Sequence, residues 1–186
     1  MDVLEAIRTR RSIKRFADRP LTREEIEPLL EAAVLAPNHR MTEPWEFLVL
    51  GESARRAYAE ALGRRKARKV EDEAAKEAVR AKVMGEVMGV PAVIAVTCRL
   101  AEDPEIREED YAATFMAIQN LSLAATARGL GSHIKTGGVM DEPDVREALG
   151  VPEDRRIVAV LYVGEPAEVP SPRPRTPARE KTRWLD

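Results

Sequence analysis

The sequence has few of the residues from which disulfides and metal sites are built. Cys98 is its only cysteine, and His39 and His133 are its only histidines. One cysteine excludes an internal disulfide and any metal site made of cysteines alone. With two histidines, the chain also has few of the ligands that a structural or catalytic zinc centre needs. We therefore predict that the chain holds no metal.

Long apolar runs and a net charge of one sign are missing as well. No apolar run approaches the roughly 20 residues needed to span a bilayer, and the N-terminus lacks the basic and apolar regions of a signal peptide. Thirty basic and 32 acidic residues leave a net charge of −2 over 186 residues. No overall field therefore favours nucleic acid or an anionic membrane. We expect a soluble, cytoplasmic protein in which any anion site is local.

The patterns that are present predict one domain, 1–186, with helices and a few buried strands. A chain of this length can bury roughly 70% of its unfolded surface. Apolar runs without helical spacing predict strands at 47–50, 91–98 and 157–163, and the last two are rich enough in β-branched residues to be buried on both faces. Residues 110–128 predict a helix that is apolar nearly all round, which belongs in a core or an interface.

Two helix starts can be placed from their capping residues. Thr22 and Glu25 fit a capping box ahead of an amphipathic helix. Asp2 can cap an earlier helix. The apolar residues that share one face of that first helix are Val3, Leu4 and Ile7.

Residues 53–90 have a helical pattern with a predicted break at Gly63, and we interpret them as a cap or lid. A basic run at 64–69 precedes acidic residues at 71–73. One interpretation of the basic run is a nucleic-acid patch. The other, which we prefer, is a solvated helix face with opposite charges three to four residues apart. The acidic residues cancel the field, and no aromatic residues interleave to stack on bases.

The segment from Arg10 to Phe16, RRSIKRF, places four cations and a hydroxyl within six residues. Arginine forks and a serine hydroxyl are the donors that bind a phosphate dianion. Lys14, two residues past Ser12, could reach a second electron-rich atom. The alternative is a solvated basic turn, because runs of charge usually lie on the surface.

The C-terminal segment, 167–186, is rich in proline and cannot form a compact unit by itself. Trp184 and Leu185 stand near its end. They predict that the tail docks apolar side chains onto another surface, such as a second subunit.

Four motifs, in their order along the chain, resemble those of the FMN-dependent nitroreductase family, and especially of its short members. The motifs are the basic segment 10–16, the loop 36–47 with Ala36-Pro37 and Glu43-Pro44-Trp45, the run 119–131 that ends in Gly129-Leu130-Gly131, and Val163-Gly164-Glu165-Pro166. The resemblance spans almost the whole chain. Each motif is only moderately specific alone, and the four together carry the identification.

This resemblance implies an α+β fold, with a mainly antiparallel central sheet surrounded by helices. It also implies an intertwined homodimer with exchanged C-terminal tails and FMN at the subunit interface. NADH or NADPH would supply a hydride through flavin N5, in ping-pong order, to a nitroaromatic, a quinone or an activated double bond. The cofactor carries that chemistry, so no side chain is predicted to be catalytic.

The resemblance further implies which residues hold FMN. Lys14 matches a basic residue by the pyrimidine edge of the flavin, where a cation raises the reduction potential. A surface role remains the alternative for His39 and for the tail arginines. The other matches are Arg10, Arg11 and Ser12 at the phosphate and ribityl end, Arg173 and Arg175 at the phosphate, Asn38, His39 and Met41 from the partner subunit, and Ile134, Lys135, Thr136 and Gly137 near N5.

Met41 and Glu43 depart from the family pattern, because many members have Asn and Gln there. A glutamate facing a phosphate would be repelled, so we expect Glu43 to face away or to pair with an arginine. The identity of the electron acceptor is therefore the property that carries over least from the family to this chain. Three other functions stay open: a dehalogenase or flavin-fragmenting enzyme of the same family, a flavin-binding module without turnover, and nucleic-acid binding through 64–69.

Overall fold

The computed structural model describes residues 1–185, in which six α-helices surround one four-stranded sheet. Neighbouring strands are antiparallel, in the order β1-β2-β4-β3. The predicted α+β fold with an antiparallel central sheet is confirmed. The strands are β1 (Trp45–Val49), β2 (Ala92–Arg99), β3 (Gly131–Lys135) and β4 (Arg155–Gly164), and the helices are α1 (Val3–Thr9), α2 (Arg23–Val34), α3 (Glu52–Ala67), α4 (Glu73–Met88), α5 (Pro104–Ala127) and α6 (Pro143–Ala148).

The central strands β2 and β4 are buried on both faces, as their β-branched runs predict. Every residue of β2 from Ala92 to Cys98 is buried. Ile94 belongs to an apolar cluster with residues of α2 and α5. Its neighbour Val93 belongs to a second cluster with residues of α3, α4 and α6. The sheet therefore separates two apolar layers, one on each side.

Helices α1 and α2 begin at the predicted caps. The Asp2 carboxylate accepts a hydrogen bond from the Glu5 amide at 2.8 Å. The Thr22 amide donates to the Glu25 carboxylate at 2.9 Å. These bonds satisfy amide groups that have no partner inside the helix.

The predicted break at Gly63 is wrong, because Gly63 lies inside α3. The break falls after Ala67, and Asp72 caps α4 through the Ala75 amide at 2.6 Å. A Cβ at position 63 would stand 3.4 Å from the Arg80 Cα. Gly63 therefore lies where α3 packs on α4, and a Cβ there would only reach van der Waals contact with Arg80.

Helix α5 is longer than the pattern predicts. It begins at Pro104 instead of Asp110, since the Asp103 carboxylate caps it by accepting from the Glu105 amide at 2.8 Å. Crossing a membrane requires a helix that is both long and apolar, and among the helices within residues 1–185 none has both properties.

Arg55 fastens the start of α3 to the sheet, and we expect its loss to destabilise the fold. Its guanidinium donates to the carbonyls of Leu50, Val90 and Pro91 at 2.9, 2.6 and 3.0 Å. Arg55→Leu leaves these carbonyls without their donor and should lower the free energy of unfolding by about 2–3 kcal/mol. Urea denaturation measures the change.

Arg56→Leu is the matched control for Arg55→Leu. Arg56 is exposed and makes a surface ion pair with Glu52 at 3.3 Å, so its loss should change stability by less than about 0.5 kcal/mol. Equal effects of the two substitutions would contradict the role assigned to Arg55.

Candidate functional site

The basic segment 10–16 lies against the edge of β3 and is held there by one buried side chain. Ile13 is 2% exposed, and its amide donates to the Ser132 carbonyl at 2.9 Å. Ser12 and Ser132 form a parallel bridge. Because Ile13 points inward, the polar residues on either side of it are left at the surface.

Gly131 makes this close packing possible. A Cβ at position 131 would lie 2.3 Å from the Ile13 Cγ1 and 3.1 Å from the Pro166 Cγ. Non-bonded carbon atoms essentially never approach to 2.3 Å, so a larger residue at 131 would push the basic segment off the sheet. In the sequence, Gly131 indicates only the end of a helix, and nothing near it signals this second role.

The tail crosses the basic segment after β4. The Ala167 amide donates to the Arg15 carbonyl at 3.0 Å, and the Ala17 amide donates to the Glu165 carbonyl at 2.8 Å. Arg15 and Glu168 also form an ion pair. These contacts bring residues 170–175 alongside the N-terminal segment, although more than 150 positions separate them in the sequence.

A cleft of about 1060 Å³ opens between the basic segment and the tail, and cations dominate its walls. Gln119 of α5 also lines it, and its one carboxylate, Glu168, is already paired with Arg15. In the described part of the chain, that ion pair is the only salt bridge made by a cleft cation. The cations are Arg8, Arg10, Arg11, Lys14, Arg15, Arg173 and Arg175.

The cleft has the donor set of a phosphate site. Arg11 is partly committed to the chain, since its Nη1 donates to the carbonyls of Arg8 and Arg10 at 2.7 and 2.8 Å. Arg10, Arg173 and Arg175 line the cleft and make no such bonds within residues 1–185, and Ser12 is exposed beside them. Bidentate guanidinium donors and a hydroxyl are the groups that recognise phosphate oxygens.

Lys14 connects the cleft to the end of β3. Burial, followed by the charges of Lys135 and Lys14, lowers the pKa of His133. Burial, followed by the charges of Lys66 and Lys14 among others, lowers the pKa of Lys135. The Lys135 Nζ also lies 4.6 Å from the centroid of the Tyr162 ring. A second, weaker positive region therefore continues from the cleft along the sheet edge.

The remaining residues predicted at the strand end differ in their surroundings. Ile134 packs against the apolar cluster shared with α2 and α5. Thr136 and Gly137 are exposed, and Gly137 has φ 107°, which glycine adopts far more readily than other residues. The charge of Lys14 thus acts on Lys135, but residues 134–137 do not line the cleft itself.

The predicted residues Asn38, His39 and Met41 lie elsewhere, beside the N-terminal half of α5. His39 Nδ1 is 2.9 Å from both carboxylate oxygens of Glu109, and the Asn38 Oδ1 accepts from the Glu43 amide at 3.0 Å. Met41 is 76% exposed. None of the three lines the cleft of its own chain, which leaves their predicted contact from a partner subunit as a prediction.

Four of the five cations in the basic run 64–69 form ion pairs, though with other residues than those predicted. Arg65 and Arg68 contact Glu142 at 3.1 and 2.7 Å, Arg64 contacts Asp144 at 3.1 Å, and Lys66 lies 3.8 Å from Glu86. The prediction of partners three to four residues away was wrong, because α3 ends on α6 and packs along α4. The pairing reduces the positive charge that this run can offer to nucleic acid.

Glu43, one of the two departures from the family pattern, is exposed and does not line the cleft. No three His, Cys, Asp or Glu side chains within residues 1–185 come together in a way that could hold a metal ion.

Comparison with known proteins finds relatives that match almost the whole chain. YfhC of Bacillus subtilis (strain 168), a candidate NAD(P)H nitroreductase, is 32% identical over 95% of this chain and 91% of its own length. A solved nitroreductase-like family protein from Bacillus cereus is 29% identical, with a TM-score of 0.87 over 100% of this chain and 97% of the other. NfnB, described as an FMN and NADPH-dependent nitroreductase, is 22% identical with a TM-score of 0.80 over the full length of both chains, and so shares the fold.

The strongest of these findings covers most of the sequence. The sequence model of the Nitroreductase family matches residues 7–165, which contain the basic segment, the sheet and Gly131. The family predicted from the four motifs is confirmed: the chain belongs to the Nitroreductase family.

Proposed function

We propose that the chain is an FMN-dependent NAD(P)H oxidoreductase that works as a homodimer. The observation that carries the proposal is the cationic cleft, in which two distant parts of a Nitroreductase-family chain bring guanidinium and hydroxyl donors together. Two similar proteins support the proposal. YfhC, a relative of this chain, is a candidate NAD(P)H nitroreductase, and NfnB, which shares the fold, is described as an FMN and NADPH-dependent nitroreductase.

The residues present fit FMN. Arg10, Arg173 and Arg175 would bind the phosphate, and the Ser12 hydroxyl would add a short hydrogen bond. Gly131 provides the close packing that fixes this segment, since any Cβ there would collide with Ile13. The phosphate end is therefore built from both ends of the chain.

Lys14 and the end of β3 would hold the flavin ring. The charge of Lys14 lowers the pKa values of His133 and Lys135, which supports a role for this cation near the strand end. Gly137 would let the ring approach the backbone, and residues 134–136 would present backbone groups to it. When bound, FMN would take a hydride at N5 from NADH or NADPH and pass it, in ping-pong order, to a nitroaromatic, a quinone or an activated double bond.

We infer that a second subunit covers the apolar surface that one chain leaves exposed. Val3 and Leu4 on α1 are 70% and 61% exposed, and Trp184 and Leu185 in the tail are 92% and 82% exposed. Exposed apolar groups in this number mark an interaction surface. An intertwined homodimer would bury α1 and the tail and would bring loop 38–43 to the partner's flavin. The hairpin 53–90 would form the lid.

Lys14→Met should lower the reduction potential of the bound flavin by about 50 mV, because a positive charge near the ring favours the electron-rich form. The measurement is a potentiometric titration of the FMN-loaded protein with a reference dye. Lys69→Met is the matched control, since Lys69 is an exposed lysine at the end of α3, away from the cleft. An equal potential for wild type and Lys14→Met would contradict the role of Lys14.

The proposal is tested by comparing FMN with riboflavin, which has the same ring and ribityl chain but no phosphate. The FMN-free protein should bind FMN at least about 100-fold more tightly, because charge-assisted bonds to phosphate are among the strongest in proteins. Quenching of flavin fluorescence measures both affinities. Equal affinities, or no binding of either flavin, would overturn the assignment of the cleft.

A further inference from the structure

Asp110 is a buried carboxylate that accepts one side-chain hydrogen bond within the described residues. It lies on α5 and is 2% exposed. Its Oδ1 accepts a hydrogen bond from the Thr42 hydroxyl at 2.5 Å, and its Oδ2 has no hydrogen-bond partner among residues 1–185. Buried carboxylates are costly unless they are paired or fully hydrogen-bonded. Stabilisation of α5 therefore does not explain why this carboxylate is buried. Its one side-chain hydrogen bond joins α5 to loop 38–43.

Loop 38–43 has an unusual backbone that needs such a support. Arg40, Met41 and Glu43 have φ values of 60°, 51° and 41°. Residues with a Cβ seldom adopt this left-handed region, and they keep it only when their surroundings enforce it. Thr42, which binds Asp110, stands between two of these residues.

The other contacts of the loop are weaker or local. His39 contacts Glu109 at 2.9 Å, and Arg40 lies 3.9 Å from Glu105, but both pairs are at the surface. Exposed ion pairs of this kind contribute little. The bond from the Glu43 amide to Asn38 closes the loop on itself and does not fasten it to α5. The bond between Thr42 and Asp110 is thus the one partly buried side-chain anchor of the loop within the described residues.

We propose that Asp110 is a positioning residue: through the Thr42 hydroxyl it holds loop 38–43 in the left-handed conformation that presents Asn38, His39 and Met41 to the flavin of the partner subunit. The inference rests on the proposed function, because it needs a flavin and a partner. A loop held in its binding conformation in advance loses less entropy when the site forms.

The test compares two substitutions at one position. Thr42→Val keeps the shape of the side chain but removes the hydroxyl, and Thr42→Ser keeps the hydroxyl. Hydrogen exchange of the amides in 38–43 should become about tenfold faster in Thr42→Val, and FMN should bind about tenfold more weakly, whereas Thr42→Ser should match the wild type. Asp110→Asn keeps a hydrogen-bond acceptor but loses the charge. Its exchange rates and its FMN affinity should lie between those of Thr42→Val and Thr42→Ser.

A mixed dimer separates contact within one chain from contact between chains. One subunit carries Thr42→Val and the other carries Arg10→Ala, which weakens the phosphate site. If the loop acts on the partner's flavin, one of the two sites in the mixed dimer combines an intact loop with an intact cleft. That dimer should bind one FMN with wild-type affinity, and neither homodimeric variant should bind FMN so well.

The outcomes separate this proposal from the one it rests on. A wild-type protein that binds no FMN overturns both. A wild type that binds FMN, with Thr42→Val binding it equally well, overturns the positioning role and leaves the flavin function standing. Faster exchange throughout the sheet in Thr42→Val also overturns it, since that result marks a general loss of stability. The proposal is supported if Thr42→Val shows faster exchange only in the loop and binds FMN more weakly, while Thr42→Ser binds FMN as tightly as the wild type.

Discussion

The double variant Arg10→Ala/Arg173→Ala should lose most of its preference for FMN over riboflavin, although Arg175 and Ser12 remain in the cleft. Both guanidinium groups line the cleft, one from each end of the chain, and neither is paired with a carboxylate in the described structure. A phosphate dianion in the cleft would take charge-assisted hydrogen bonds from both. Each such bond contributes about 1.5–3 kcal/mol, so the loss of two should weaken FMN binding roughly 100-fold or more.

The riboflavin affinity makes this experiment specific to the phosphate. Riboflavin uses the ring contacts but not the arginines, so its dissociation constant should change by less than about threefold in the double variant. Arg179→Ala is the matched control, because Arg179 is an exposed arginine of the same tail that lies outside the cleft. If the double variant kept the wild-type preference for FMN, the phosphate would have to bind elsewhere.

Gly131→Ala should damage the flavin site through packing alone. The added Cβ would be 2.3 Å from Cγ1 and 2.9 Å from Cβ of Ile13, which is itself buried. Either Ile13 leaves its position, and the basic segment with it, or the strand shifts. Overpacking of this kind costs about 1–3 kcal/mol. We also expect the FMN dissociation constant to rise at least about tenfold, because the donors lose their common geometry.

Gly85→Ala is the control for Gly131→Ala. Gly85 lies inside α4, and a Cβ added there would have no atom of another residue within 4 Å beyond the helix's own backbone. Alanine at 85 should therefore leave FMN binding unchanged and raise stability by up to about 1 kcal/mol. Thermal unfolding and flavin fluorescence report both properties for both variants. A Gly131→Ala protein with wild-type FMN affinity would show that the segment can adjust without loss.

The strands and capped helices could be predicted because their signals are local. The β-branched run of β2 and the capping pair Thr22 and Glu25 depend on neighbours within a few positions, and the structure agrees with both predictions. The roles of Gly63 and Gly131 could not be predicted, for the opposite reason. Each glycine packs against a residue distant in sequence, Arg80 or Ile13, and a linear pattern contains no information on such a contact.

The candidate site could be predicted only in part for the same reason. The cations at 10–14 are conspicuous in the sequence, but their meeting with Arg173 and Arg175 was implied only by the family resemblance, and the structure places them in one cleft. The anchor between Thr42 and Asp110 had no sequence signal at all. A threonine and an aspartate 68 positions apart become partners only after α5 packs beside the loop.

The flavin function is tested most directly by an absorbance spectrum of the purified protein with added FMN, followed by NADH or NADPH and then by air. We expect the protein to retain flavin bands after removal of free FMN. The bands should bleach when the nicotinamide is added without oxygen and return in air. A protein that stays colourless and binds no FMN would contradict the proposed function, and the cationic cleft would then be a basic surface without a flavin.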